Sequence, residues 1–66
     1  MEKTILEIMD GDGNAFAIMG RVTSALKAKG ATKDEIAKYR EEVRAGDYEN
    51  LLYISGDWLD KYGYEC

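Results

Sequence analysis

This chain is short, acidic and poor in the residue types on which most catalytic and metal sites depend. It has 66 residues, a formal net charge of −4, one cysteine and no histidine, so histidine-based catalysis, histidine zinc sites and an internal disulfide are excluded. The negative charge also argues against binding to duplex nucleic acid, which depends on a basic surface that neutralises phosphates. We expect a protein that is not an enzyme and has no metal or cofactor.

The small size predicts a single domain, residues 1–66, that is stabilised by self-association. A chain of this length buries only about 60% of the surface that its unfolded state exposes, and neither disulfides nor a metal can compensate. Five tyrosines, one tryptophan and one phenylalanine are more aromatic surface than so small a body covers. A homodimer or higher oligomer is therefore the expected state.

The chain shows no pattern for export or for membrane insertion. Its apolar runs are too short to span a bilayer, and its N-terminus lacks a charged segment followed by an apolar one. Cys66 has no second cysteine to pair with, which fits a reducing compartment. We expect a cytoplasmic protein that has no membrane partner.

Residues 3–9 predict a short N-terminal β-strand. Their side chains alternate loosely between two faces, and the segment stops at a turn-forming Asp-Gly pair. An isolated strand leaves its backbone groups unpaired, so this one would pair with a second copy or with the C-terminal segment around Tyr64. A frayed helix is the alternative for these residues.

The first helix is predicted at residues 15–29, where Gly30 ends it. The residues that should face the core recur at helical spacing. They are Ala15, Ile18, Met19, Val22, Ala25 and Leu26. The opposite side consists of small residues, which would let another backbone or a flat ligand approach closely. The positions, which recur about every four residues, are Gly13, Ala17, Gly20 or Arg21, Ser24 and Ala28.

Two further helices complete the predicted fold. Thr32 and Glu35 have the spacing of a capping box, which begins the second helix. Asp47 is a typical N-cap for the third helix, which Gly63 ends and which Gly56 could break or bend. The apolar stripes are Ile36, Tyr39 or Arg40, and Val43 in the second helix, and Leu51, Leu52, Ser55, Trp58, Leu59 and Tyr62 in the third. The expected fold class is mainly α, with an α+β topology of one short strand followed by three helices.

The glycine-rich segment before the first helix is the candidate ligand site. A helix N-terminus presents backbone N–H donors and a partial positive charge, so it can bind an anion. The candidate binding residues are Gly13, Asn14, Ala15, Phe16, Arg21 and Tyr48. Arg21 is the nearest cation, and Tyr48 could stack on a base. The alternatives are that Asn14 only caps the helix and that Arg21 is a surface charge or a contact between subunits.

Two familiar motifs are incomplete in this segment. Residues 10–21 begin like a calcium-binding EF-hand loop, but the sixth position is Ala15 instead of Gly and the twelfth is Arg21 instead of Glu. The Lys-Ser or Lys-Thr pair of a phosphate-binding P-loop is also missing after Gly13. A structural turn is the better interpretation of these residues.

The chain resembles a family of very small proteins found in bacteria and their phages. The pattern is Asp12-Gly13-Asn14-Ala15-Phe16, followed by Gly46-Asp47-Tyr48 and Leu51-Leu52, and the resemblance covers most of the chain. The family resembled includes phage anti-CBASS sponge proteins, which form oligomers and sequester cyclic dinucleotide immune signals. The resemblance implies a non-enzymatic binder of a cyclic dinucleotide that acts in the host cytoplasm as a phage counter-defence. It assigns no binding residues.

A second function fits the same sequence. The acidic ends and the aromatic side chains could dock on a basic protein, as in a small interaction module or an inhibitor of a host protein. That function predicts no small-molecule ligand and a strong effect of salt on partner capture. A purely structural protein is a third and weaker reading.

Overall fold

The computed structural model of this chain describes residues 3–9 and 14–65 and folds them into four helices. Helix α1 spans Ile5–Met9, α2 spans Ala15–Ala28, α3 spans Lys33–Arg44 and α4 spans Tyr48–Lys61. Helix α4 packs against the other three, and α2 also packs against α1 and α3. None of the described helices has the length and hydropathy that crossing a membrane requires.

The N-terminal segment is a helix, so the predicted strand at residues 3–9 is wrong. Thr4 and Glu7 form a capping box, in which the Glu7 N–H donates to Thr4 Oγ1 at 3.2 Å and the Thr4 N–H donates to Glu7 Oε1 at 3.0 Å. Ile5 and Ile8 are buried together, and a spacing of three residues is that of a helix face. The described residues accordingly contain no strand. Residues 5–9 form a helix despite the alternation of their side chains, because the cap between Thr4 and Glu7 and the joint burial of Ile5 and Ile8 both favour a helix.

The C-terminal segment does meet the start of α1, although it forms no strand with it. The Ile5 N–H donates to the carbonyl oxygen of Glu65 at 2.6 Å. This bond satisfies one of the N–H groups that the first turn of a helix leaves without an internal partner. The C-terminal segment therefore holds α1 against the rest of the fold.

Helix α2 begins where it was predicted to begin. Asn14 is its N-cap, and the Phe16 N–H donates to Asn14 Oδ1 at 2.9 Å. Lys29 is the C-cap, and Gly30 follows at a φ of 93°, a backbone conformation that favours glycine. All six predicted core residues of this helix are buried or half-buried.

Helices α3 and α4 also begin at their predicted caps. The Glu35 N–H donates to Thr32 Oγ1 at 3.2 Å, and the Thr32 N–H donates to Glu35 Oε1 at 2.9 Å. In α4 the Asn50 N–H donates to Asp47 Oδ1 at 3.0 Å. These side chains accept bonds from N–H groups that have no partner inside the helix.

The structure answers two questions that the sequence left open, one in α3 and one in α4. On α3, Tyr39 is fully buried and Arg40 is exposed. Helix α4 continues through Gly56 and ends before Gly63, whose φ is 95°. Gly56 therefore does not break this helix.

The contact between α3 and α4 is aromatic and hydrogen-bonded. The hydroxyls of Tyr39 and Ser55 lie 2.5 Å apart and are both buried. Trp58 meets the Tyr39 ring edge-on, with centroids 5.7 Å apart, and stacks on the Tyr62 ring at 6.2 Å. The Trp58 indole N–H donates to Glu42 Oε1 at 3.0 Å. Each buried polar group named here has a partner, as a stable core requires.

Candidate functional site between helices α1 and α2

An open groove of about 1000 Å³ runs along α1 and α2. We call it the α1–α2 groove, and its lining is Lys3, Glu7, Ile8, Ala17, Gly20, Arg21, Ser24, Ala25 and Tyr64. Its volume lies at the upper end of the range of small-molecule sites, about 300–1000 Å³. The groove is therefore large enough for a ligand the size of a nucleotide.

The wall that α2 gives to the groove is almost free of side-chain bulk. Ala17, Gly20 and Ser24 follow each other at intervals of three and four residues, so they share one face of the helix. Among the described residues, no side chain and no other segment lies within 4 Å of the point that a Cβ on Gly20 would occupy. The groove is wide because this face is small, and a flat group could reach the helix backbone.

The charges in the groove are mixed, with more basic than acidic groups. Lys3 and Arg21 bring two cations, and Glu7 brings one carboxylate. The bonds that Glu7 accepts from the Thr4 N–H and, at 3.1 Å, from the Thr4 hydroxyl hold the pKa of its carboxyl below the ordinary value, so Glu7 stays ionised near neutral pH. The groove can thus attract an anion at Arg21 and Lys3 and accept hydrogen bonds at Glu7.

Tyr64 fixes the C-terminal segment beside the groove. Its ring is buried, and its hydroxyl donates to the carbonyl oxygen of Ala25 at 2.7 Å. The ammonium of Lys29 lies 5.0 Å from the centre of the ring, a distance at which a cation is attracted to the π face. The Tyr64 side chain is therefore fixed in position on this side of the groove by a hydrogen bond and a cation–π contact.

Arg21 is the one predicted binding residue, among those described, that lines the groove. Asn14 acts as a helix cap, which was the alternative interpretation, and the bond that it accepts uses the Phe16 N–H. That N–H is therefore not available to an anion in this conformation. Ala15 is half-buried against the core.

Phe16 and Tyr48 lie outside the groove lining. The Phe16 side chain is 83% exposed and is not part of the groove lining. Tyr48 begins α4 and is 42% exposed, also outside that lining. Gly13 falls outside the described residues. The structure therefore places neither Phe16 nor Tyr48 beside Arg21 in the groove lining.

Lys3, Glu7 and Tyr64 line the groove but were not among the binding residues that the sequence analysis predicted. The Thr4-x-x-Glu7 spacing was an available signal for the first two, because a capping box would have made this segment a helix next to α2. No local sequence pattern predicts that Tyr64 lies at the groove, since its hydrogen bond to Ala25 joins residues 39 positions apart.

The comparisons with known proteins found no relative of this chain. No family model, curated protein or solved structure matches the chain.

Proposed function

We propose that this chain is a non-enzymatic, oligomeric binding protein that holds a small anionic ligand of nucleotide size in the α1–α2 groove. The observation that carries this proposal is the groove itself, which combines about 1000 Å³ of open space with a small-residue wall and the cation of Arg21. The same groove offers polar groups for orientation and apolar surface for contact, as small-molecule sites do.

Each part of the groove has a role in the proposed binding. The guanidinium of Arg21 forms two parallel hydrogen bonds with a phosphate, and Lys3 adds a second positive charge. A flat base lies along Ala17 and Ser24, whose small side chains let it come close to the helix. Glu7 accepts hydrogen bonds from an amino group on the base, because its side chain is a carboxylate at neutral pH.

The resemblance to small phage proteins supports a more specific version of this proposal. The ligand is a cyclic dinucleotide, and the chain sequesters it in the host cytoplasm as a phage counter-defence. Sequestration requires tight binding and enough copies of the protein to bind the ligand, but it requires no catalytic group. A chain without histidine fits this requirement. The flat bases and charged phosphates of such a ligand suit a wall without bulk beside a cation.

Calorimetric titration with a panel of cyclic di- and trinucleotides tests the proposal. The wild type is expected to bind at least one of them, and inorganic phosphate is expected to compete. Arg21→Glu should weaken binding by about tenfold or more, because it replaces the phosphate-binding cation with a repelling charge. Arg40→Glu is the matched control, since Arg40 is exposed on α3 and is not part of the groove lining.

A second variant separates loss of the ligand from loss of the fold. Ser24→Trp puts a large side chain into the groove at an exposed position, so it should block binding while leaving the circular dichroism spectrum unchanged. No binding of any cyclic nucleotide by the wild type would contradict the proposal. Equal affinities for the wild type, Arg21→Glu and Ser24→Trp would contradict the placement of the ligand in this groove.

A protein-interaction module is the second candidate, and the exposed apolar side chains favour it. Leu6 is 71% exposed, Phe16 83% and Tyr53 79%. Large exposed apolar side chains are frequent at surfaces that bind other proteins. In this case the chain binds no nucleotide, and a basic host protein is captured in a salt-dependent way.

A further inference from the structure

Two helices of this chain carry the same unusual pair of residues on their exposed faces. In α2, Phe16 is followed four positions later by Gly20, and in α4, Tyr53 is followed three positions later by Gly56. Both aromatic side chains are about four-fifths exposed, at 83% and 79%. Spacings of three and four residues place each glycine next to its aromatic side chain on the helix surface.

Neither glycine is required by the fold of the residues that the structure describes. Among the described residues, no side chain or other segment lies within 4 Å of a Cβ placed on Gly20 or on Gly56. Neither residue has the positive φ found at Gly30 and Gly63. Because glycine is less favourable than alanine inside a helix, both positions gain a purpose if something beyond the described residues, such as a second copy, approaches them closely.

The two exposed faces have opposite charge. Helix α2 carries Arg21 and Lys27 and no acidic residue. Helix α4 carries the acidic residues Glu49, Asp57 and Asp60 against one basic residue, Lys61, which forms an ion pair with Asp57 at 3.7 Å. Pairing α2 with a second α2 would set like charges against each other, whereas pairing α2 with α4 sets opposite charges together.

We propose that the exposed face of α2 binds the exposed face of α4 of a second copy of this chain. The α2 face is Phe16, Gly20 and Lys27, and the α4 face is Tyr53, Gly56 and Asp60. Each aromatic ring packs over the glycine of the other copy, where the missing side chain leaves room for it. Lys27 faces the acidic side chains of α4.

This pairing deepens the proposed function and rests on it. Gly20 belongs both to the α2 face and to the lining of the α1–α2 groove. A second copy on this face therefore adds a wall to the open groove, and the tyrosine that it brings can stack on a base. The proposed ligand then lies between two copies.

The geometry also sets the kind of assembly. Helices α2 and α4 pack against each other through their buried residues, so their exposed faces point away from one another. One copy can thus use its α2 face and its α4 face at the same time, on two different neighbours. Such a head-to-tail contact leads to a closed ring or an open chain and not to a two-fold dimer.

Complementation between two variants tests the proposal. Phe16→Asp should disable the α2 face and Tyr53→Asp the α4 face, so each variant alone sediments as a monomer in ultracentrifugation without ligand. An equimolar mixture should form a 1:1 heterodimer, because each partner retains the face that the other lacks. Leu6→Asp is the matched control at an exposed position outside both faces, and it should assemble like the wild type.

Other outcomes overturn the proposal in recognisable ways. A two-fold contact between α2 helices would leave Tyr53→Asp fully assembled, and its mixture with Phe16→Asp would form no heterodimer. A monomeric wild type would overturn the proposed pairing, while binding of the nucleotide would still be judged by the Arg21→Glu titration. The two proposals can therefore fail separately.

A second pair of variants guards against unfolding as an explanation. Gly20→Ala and Gly56→Ala improve helix propensity, yet each adds a Cβ where a ring of the next copy is proposed to lie. Both should unfold at no lower a temperature than the wild type in dilute solution and should assemble about tenfold more weakly. Unchanged assembly in both variants would show that no ring approaches these positions.

Discussion

The hydroxyl of Tyr62 at the end of α4 donates a hydrogen bond to Oε2 of Glu35 in the first turn of α3. The other oxygen of the same carboxylate accepts the Thr32 N–H and closes the capping box of α3. Glu35 therefore both begins its own helix and holds α4 against it. The bond from Tyr62 lowers the pKa of Glu35, with help from Thr32, and the carboxylate raises the pKa of Tyr62.

These pKa shifts predict that stability falls at both ends of the pH range. The contribution of Glu35 is complete above its unfolded pKa near 4.5 and is lost as the pH falls through the lower folded value. The contribution of Tyr62 is complete below its unfolded pKa near 10.0 and is lost as the pH rises through the higher folded value.

Tyr62→Phe should flatten both limbs of this pH profile, measured by urea unfolding from about pH 3 to pH 11. The acid limb keeps the part of the Glu35 contribution that is due to Thr32, and it keeps the part due to Glu7, whose pKa is lowered by its bonds with Thr4. The alkaline limb keeps the part due to Tyr39, because burial raises the pKa of its hydroxyl. An alkaline limb that is unchanged in Tyr62→Phe would contradict the assignment of that limb to the bond with Glu35.

The buried pair of Tyr39 and Ser55 should behave as a unit in a double-mutant cycle. Tyr39→Phe and Ser55→Ala are each expected to lower the free energy of unfolding by about 1–3 kcal/mol, because each leaves a buried hydroxyl without its partner. The double variant should lose less than the sum of the two. Tyr53→Phe is the control and should change little, since the Tyr53 side chain is exposed. Strictly additive losses would argue against the bond.

Thr4 offers a direct test of the helix at residues 5–9. Thr4→Val removes the hydroxyl that accepts the Glu7 N–H, so it should lower the free energy of unfolding by about 1 kcal/mol, while Thr4→Ser should retain it. A β-strand would show the opposite order, since valine favours strands more than serine does. Chemical denaturation of the two variants beside the wild type distinguishes the two structures.

Glycine-to-alanine substitutions should divide into two groups. Gly20→Ala and Gly56→Ala are expected to raise the free energy of unfolding by about 0.5–1 kcal/mol in dilute solution, because both positions are helical and open. Gly30→Ala should lower it by about 1 kcal/mol, because alanine is strained at a φ of 93°. Thermal unfolding at low concentration measures all three. A loss of stability in Gly20→Ala would show that this glycine is needed within the single chain.

The sequence predicted the parts of this fold that depend on local chemistry. The caps at Asn14, Thr32 and Asp47 and the glycines at 30 and 63 act through neighbours within a few residues, so pattern rules locate them. The N-terminal segment was mispredicted because seven residues can satisfy two periodicities, and burial against α2 and α4 decided between them. The bond between Tyr62 and Glu35 has no local signal, since it joins residues 27 positions apart.

Some parts of the candidate site could likewise be predicted from the sequence, and others could not. The small face of α2 and the position of Arg21 on it follow from helical spacing, and both line the groove. The binding role predicted for Asn14 and Phe16 competed with a capping role, and one N–H cannot serve both an anion and its own cap. Tyr64 reaches the groove through tertiary packing, which no spacing within the sequence reveals.

Trp58 gives the protein an intrinsic fluorescence probe of its folding. It is the sole tryptophan of the chain, and its neighbours Tyr39, Tyr62 and Glu42 lie along α3 and α4, whereas the groove is lined by α1, α2 and Tyr64. Its emission should therefore follow melting of the aromatic contact between α3 and α4, with little response to whatever fills the groove. An unlabelled sample can thus report folding by fluorescence while a separate heat signal reports binding.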